Sequence, residues 1–433
     1  MSCKVILNDL PKDQLAFLKK RSKLTITPKS GYQPSAKPEV VNLTRMVNAC
    51  IVDDAYHTRA VSYGYIPYAL AREANVDPIN PNFNRMNMTF TGTLRDKQQH
   101  VKDRTMDHLN HTGSSIISCH PGFGKTITAI NIACELKLKV LVVVNRVILI
   151  KQWMDAVKQF CDENVVVQNL TSDNEDVQAN FSIVNVLSIT KYPDYLLESF
   201  GLVIIDEAHL ILSKTMFSKL LHLTPKYLLA LSATPYRNDD LNKLFPIFFG
   251  KNVVGKKLYK PHTVYKVYTN FKPTITLDHT MKVNWNDILD KMSRDSHRNN
   301  LIVDLIKKHS DRVFLVLVKR VEQGKWLEQK LKDEGEHVST LFGSNQTFDQ
   351  TCRVLIGTNS KVGTGFDFSR LDTLLLGSDV VSYYVQFLGR VMRRVDVEPL
   401  IFDLVDNNPT LERHFDERAK VYRNHGGVVK RYG

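Results

Sequence analysis

Short apolar runs alternating with helical segments, twice over, predict an α/β protein. It should hold two tandem parallel-sheet layers behind a small N-terminal domain. Between residues 115 and 231 five apolar runs each end at a polar or glycine-rich turn, as strands buried on both faces do. The same alternation resumes after residue 300. The turns themselves carry phosphate-handling chemistry at Cys119–Thr126, Asp206–His209, Ser232–Thr234 and Gln386–Arg393. A chain of 433 residues is long enough for two or three domains with their own cores.

In chain order, residues 1–93 form the N-terminal accessory domain. A proline early in Leu10–Lys20 and apolar residues at helical spacing (Leu15, Leu18) predict a short helix, followed by a basic cluster at Lys19, Lys20, Arg21 and Lys23. Pro28, Pro34, Pro38, Pro67, Pro78 and Pro81 predict short elements with long connections for the rest. Residues 94–250 are the first α/β layer. Its strands are predicted at Ser115–Ser118, Val140–Val144, Ser182–Val186, Leu202–Ile205 and Tyr227–Leu231, with helices at Ile127–Leu136 and Ile148–Phe160. Residues 251–272 read as a connector, with lysines interleaved with Tyr259, Tyr265 and Tyr268. Residues 273–433 are the second layer. A helix carries Leu301, Ile302, Leu305 and Ile306, and strands are predicted at Val313–Val318, Val354–Ile356, Thr373–Leu376 and Leu400–Leu404. Function in such layers belongs at the strands' C-terminal edge.

The loop Cys119–Thr126 follows a strand and opens a helix, the context a phosphate loop requires. Gly122 and Gly124 let its backbone N–H groups face the phosphates. Lys125 would neutralise the β- and γ-phosphates of ATP, and the Thr126 hydroxyl would ligate Mg²⁺. Asp206 and Glu207, at the end of an apolar strand, suit the magnesium shell and the activation of the attacking water respectively. Ser232 and Thr234 end another strand, where their hydroxyls can bond His209. Arg390 and Arg393, three apart, project from one helical face and suit the charge on a transferring phosphoryl group. Gly363 and Gly365 permit close backbone approach to phosphates, and Asp367 would position a ribose or an arginine. Gln98, whose amide both donates and accepts, suits the adenine edge.

The net charge of +13 is more than an ATP site needs and suits a polyanionic partner. No apolar stretch is long enough to span a bilayer, so no membrane partner is expected. The start, Met1-Ser2-Cys3-Lys4, lacks the apolar core of a secretory signal. Six scattered cysteines without a C-x-x-C pair argue for reduced thiols in an intracellular, soluble protein, and against a zinc ribbon or iron–sulfur cluster. His108 and His111 have no second ligand pair and read as ordinary histidines.

Together, the motifs resemble superfamily 2 helicases of the DEAH/DExH kind, from about Thr91 to Asp406. Phe90–Gln98, Gln152-Trp153 and Ser232–Arg237 look most like the compact helicases of large DNA viruses, of the poxvirus transcript-release type, and phage branch-migration helicases. The resemblance implies two RecA-like lobes with ATP between them, and a DNA or RNA strand, single-stranded where it is gripped, across both. It carries Gln98 to the adenine-reading motif, Lys125 and Thr126 to the phosphate loop, and Asp206 and Glu207 to the magnesium and water positions. His209, Ser232 and Thr234 correspond to the coupling set. Thr358, Gly363, Gly365 and Asp367 precede the finger helix, which holds Gln386, Arg390 and Arg393. Cys119 stands where the family has alanine or glycine, and Asn145 where a proline is common. A monomer is expected, working in host cytoplasm or virion if viral, beside transcription, replication or recombination proteins. Two other readings remain at this point: a P-loop ATPase that remodels protein, and an inactive nucleic-acid clamp.

Overall fold

The computed structural model describes residues 2–26, 39–54, 57–76, 83–171, 178–213, 216–233, 243–256, 259–279, 281, 283–343, 345, 347–362, 368–381, 384–394 and 396–433. The chain divides into two compact units, residues 1–119 with 123–256, and residues 257–433 with 120–122.

In the first unit, β1 (Ser2–Ile6), β2 (Lys23–Ile26), β3 (Glu39–Asn42), β4 (Arg45–Asp54) and β5 (His57–Pro67) come first. They form an antiparallel sheet ordered β1-β5-β4 and a β2-β3 pair. The helix expected over Leu10–Lys20 spans Lys12–Arg21. Short elements were expected from the prolines, yet β4 and β5 run 10 and 11 residues and pair antiparallel. Pro67 closes β5 rather than interrupting it.

The large sheet of this unit contains β6 (Ser114–Cys119), β7 (Val140–Val144), β8 (Val167–Asn169), β9 (Phe181–Asn185), β10 (Leu202–Ile205), β11 (Tyr227–Ser232) and β12 (Val253–Lys256). Its order is β12-β6-β11-β10-β7-β9-β8, parallel throughout. Successive residues alternate between two cores. Leu141, Val143, Val203, Ile205, Leu228 and Ala230 join one, while Val140, Val142, Val144, Leu202, Ile204 and Leu229 join the other. Burying both faces explains why these strands read as unbroken apolar runs.

The first of those cores also takes in Cys3, Val5, Leu18, Ile66, Tyr68 and Leu70. The N-terminal elements therefore share a core with the first α/β layer. Ser2 reinforces the junction, its N–H donating to the Leu223 carbonyl (2.7 Å) and its hydroxyl to Leu221 (2.7 Å). Lys4 pairs with Glu198 at 2.9 Å.

The second unit is one seven-stranded sheet of β13 (His262–Tyr268), β14 (Phe314–Val318), β15 (Val338–Leu341), β16 (Val354–Thr358), β17 (Thr373–Leu376), β18 (Leu400–Val405) and β19 (Gly427–Arg431). The order is β15-β16-β14-β17-β18-β13-β19, again all parallel. Leu315 and Leu317 enter one core, Phe314, Val316 and Val318 the other. The two sheets are the two RecA-like layers expected. The connector expected over 251–272 is corrected: Val253–Lys256 is a strand of the first sheet and His262–Tyr268 a strand of the second. Lysine and tyrosine interleaving masked a half-buried strand in which Val264 and Val267 face inward.

No helix among the described residues is long and apolar enough to cross a membrane. Nor do the described residues hold a cluster of three or more His, Cys, Asp or Glu able to bind a metal on their own. Cys3, Cys119, Cys134, Cys161 and Cys352 are buried and in no disulfide.

Candidate active site

Adjacent parallel strands β6, β11 and β10 bring three of the sequence motifs to one edge of the first sheet. Ser232 pairs in register with Ser118, and Ile205 with Ala230. The phosphate loop, the Ser232 hydroxyl and the Asp206-Glu207 pair therefore leave the sheet side by side. That edge is where a parallel α/β layer binds ligands.

The loop after β6 curls because Gly122 and Gly124 both take left-handed backbone angles, φ +78° and +94°. A methyl group at Gly124 would stand 2.2 Å from Gln98 Nε2. The helix Lys125–Leu136 starts there, and its inner face buries Thr128, Ala129, Ile130, Ile132 and Ala133. Lys125 lies at its first turn with Thr126 beside it, both half-buried. The Lys125 ammonium donates to the Cys119 carbonyl at 2.9 Å, closing the loop on itself.

Gln98, on the helix Asp96–Thr112, is buried. Its Nε2 donates to the Phe123 carbonyl at 2.8 Å, and its Oε1 accepts from the Arg95 N–H at 2.8 Å. In this structure the amide expected to read adenine braces the phosphate loop from behind.

Asp206 is held from two sides. Trp153 Nε1 donates to Oδ2 at 2.8 Å, and the Glu207 N–H donates to Oδ1 at 2.9 Å. Burial, and then the neighbouring Glu207 carboxylate, push its pKa from 3.8 up to about 6, against the pull of the Trp153 hydrogen bond and the Lys125 charge. Glu207 has φ +47°, a left-handed backbone that a residue with a Cβ adopts at a cost of roughly 1–2 kcal/mol. Its Oε2 approaches His209 Nδ1 at 3.4 Å, and the same nitrogen lies 2.9 Å from Ser232 Oγ. His209 is buried. Asp206, Glu207, His209 and Ser232 thus form one connected chain across β10 and β11. Thr234 lies outside the described residues.

Trp153, of the Gln152-Trp153 pair that supports the resemblance, has a role that the sequence does not assign. It sits on the helix Val147–Phe160 and is 1% exposed. An indole N–H seldom stays buried without an acceptor, and a buried carboxylate needs donors. Trp153 and Asp206 satisfy each other.

In the second unit, the helix Tyr384–Val391 carries Gln386 and Arg390 and packs Phe387, Leu388 and Val391 into the core. The expectation that Arg390 and Arg393 share a helical face is corrected: the helix ends at Val391, and Arg393 lies two residues beyond it. Gln386 is buried, while Arg390 and Arg393 are half-buried. Desolvation holds the Arg393 pKa below its usual value. Gly363, Gly365 and Asp367 lie outside the described residues; Thr358, of the same motif, is the last residue of β16.

A buried charge network that the sequence did not reveal braces the C-terminal edge of this sheet. Arg418 makes two 2.8 Å contacts to Asp403 and one of 3.0 Å to Asp379. Tyr422 donates to Asp403 at 2.8 Å, and His414 lies 2.8 Å from Asp379. Burial opposes the Asp379 charge, but the His414 hydrogen bond and the Arg418 guanidinium hold its pKa below the usual carboxylate value. Arg298, also fully buried, donates to Asp406 at 2.9 Å.

Known proteins resemble this chain in sequence and in fold. Residues 91–237 match the family described as type III restriction enzyme, res subunit. The chain is 44% identical to "Putative helicase 161L" of Invertebrate iridescent virus 6, over the full length of both. It is 31% identical to "Putative helicase 055L" of Frog virus 3, covering 78% of this chain and 79% of that one. Among solved structures, S. cerevisiae Dbp5 bound to RNA and ADP BeF3 superimposes with a TM-score of 0.53 at 16% identity, covering 77% of this chain and 89% of that one. That similarity concerns the fold.

Proposed function

The chain belongs to the superfamily 2 helicases of large DNA viruses, a family of ATP-dependent nucleic-acid helicases, and we propose that its first unit hydrolyses ATP to drive movement along a DNA or RNA strand. The supporting observation is the shared edge of β6, β11 and β10, where Lys125, Ser232 and the Asp206-Glu207 pair emerge from neighbouring strands.

The residues suit a magnesium nucleotide. Two left-handed glycines shape an anion-binding loop, Lys125 supplies fixed positive charge, and Asp206 and Thr126 offer hard oxygen donors. Asp206 is a buried carboxylate whose charge is disfavoured by burial and by Glu207, so a cation there would be stabilised. Asp206 and Thr126 would hold a bound Mg²⁺, which would supply positive charge to the transferring phosphate.

Lys125 holds the terminal phosphates, with Gly122 and Gly124 giving their backbone N–H groups access. Trp153 keeps the Asp206 carboxylate facing its ligand. Glu207, its carboxylate tethered near His209, accepts the proton of the attacking water. His209 and Ser232 pass the state of that carboxylate along the sheet edge to the track. By the family resemblance, Arg390 and Arg393 are assigned to the charge of the transferring phosphoryl group, and Gln386, Gly365 and Asp367 to nucleotide binding. Gln98 is assigned to the adenine, a role that requires it to exchange one of its loop contacts. The protein acts as a monomer on a single-stranded track, in host cytoplasm or virion, alongside transcription, replication or recombination proteins.

The test is polynucleotide-stimulated ATPase activity. Lys125→Ala should remove it, and Glu207→Gln should lower it by about 10²–10⁴-fold, the usual worth of a general base. Both variants should keep the wild-type circular dichroism spectrum. Wild-type turnover in either variant would overturn the assignment.

A further inference from the structure

Large apolar side chains stand open in one short segment of the second unit. Ile275 is 54% exposed, Leu277 51%, Met281 77% and Trp285 36%. Exposed apolar side chains this close together in the chain call for an occupant. The segment is built to present them. Leu277 bridges to Val283, and the Asn284 N–H donates to the Thr276 carbonyl at 2.8 Å. Thr276 turns its hydroxyl inward to Asp287, so Ile275 and Leu277, on either side of it in the chain, face out. Met281, with φ +59°, projects from the turn.

Trp285 opens the helix Trp285–Arg294, whose other face buries Ile288, Leu289 and Met292. Its ring centroid is 6.0 Å from that of His414, and His414 is fixed by Asp379, three residues beyond the end of β17. Arg320, two residues beyond the end of β14, donates to Asp290 at 2.6 Å and to the Asn286 side chain at 3.2 Å. Trp285 is therefore seated on the C-terminal edge of the second sheet, beside the ends of β14 and β17. The carboxylates of Asp287, Asp290 and Asp379 are each held by a cation, Lys291, Arg320 and Arg418 respectively. Lys272 and Lys319, adjoining this surface in the chain, are exposed.

We propose that Trp285, flanked by Ile275, Leu277 and Met281, is a stacking platform for an unpaired nucleobase of the nucleic-acid strand. The inference rests on the helicase reading above. An exposed indole gives a base a π-face, the aliphatic side chains cover its edge, and the nearby lysines attract its phosphates. Such a contact is indifferent to base identity, as movement along arbitrary sequence requires.

The experiment measures fluorescence anisotropy of a labelled single-stranded homopolymer, and of the same backbone lacking its bases, with the full-length protein. Trp285→Ala should weaken binding of the base-bearing strand by about tenfold, Trp285→Phe should restore most of it, and Trp326→Ala should leave it unchanged. Affinity for the abasic strand should be the same in wild type and Trp285→Ala. Base-strand affinity within twofold of wild type in Trp285→Ala would overturn the proposal. So would an equal loss on both strands, which marks a structural role, or a loss only in complexes with another protein. A wild-type protein that binds no strand at all, while still hydrolysing ATP, would instead remove the helicase reading on which the proposal stands.

Discussion

Asp206 shows how one side chain links stability to chemistry. Its carboxyl is protonated more readily in the folded protein, at a pKa of about 6, than its ordinary value of 3.8. The sign follows. Well below pH 3.8 both folded and unfolded states hold the proton, so burial costs nothing through ionisation. As pH rises through 6 the folded state must give up its proton in a buried site, and this contribution to stability is lost. The loss is on the order of 1–3 kcal/mol. Asp206→Asn has no proton to lose, so thermal unfolding without nucleotide should show a stability curve flatter between pH 4 and pH 7 than the wild type. Identical pH profiles would show that Asp206 does not titrate in this range. Glu207 tells the same story through its backbone: a strained left-handed conformation retained beside a buried carboxylate belongs to a site shaped for a ligand.

Among the elements, the phosphate loop is the one most sharply defined by its backbone. Gly124→Ala would force a Cβ onto Gln98 Nε2 and into an unfavourable φ at once. It should cost about 1–3 kcal/mol of stability and abolish nucleotide binding, measured by denaturant unfolding and by titration with a fluorescent nucleotide analogue. Much of this level was legible in the sequence. Val140–Val144 and Leu202–Ile205 occupy the residues expected, because strands buried on both faces leave no polar residue to blur their ends. Val167–Asn169 and Val338–Leu341 escaped notice because they are short, with Gln168, Ser339 and Thr340 in them. His262–Tyr268 reads as a connector in the sequence, since its lysine and tyrosines imitate a solvated segment. The helix carrying Arg390 stops at Val391 with neither glycine nor proline to announce it, so the placement of Arg393 was not readable from spacing. The pairing of Trp153 with Asp206 and the Arg418 network escaped for another reason. Both join residues across long sequence separations, which a linear pattern does not encode.

At the scale of the whole molecule, a charge of +13 sets how strongly a polyanion is held and how that grip responds to salt. Raising salt from about 50 to about 200 mM should weaken single-strand binding by about 10³-fold, with log affinity linear in log salt. A flat salt response would mean that the excess charge serves solubility rather than the track. The shared core between β1, β5 and the first parallel sheet also makes the N-terminal elements part of the motor's frame.

The second sheet places β13 between β18 and β19, although β13 precedes both by well over a hundred residues. A ribosome delivering this chain therefore releases a strand that waits, with both hydrogen-bonding edges bare, until residues 400–431 have emerged. Throughout that interval Val264 and Val267 have no sheet to lie in. The nascent polypeptide is then most exposed to mispairing with its neighbours on a polysome, and it is there that a chaperone would find its most natural hold.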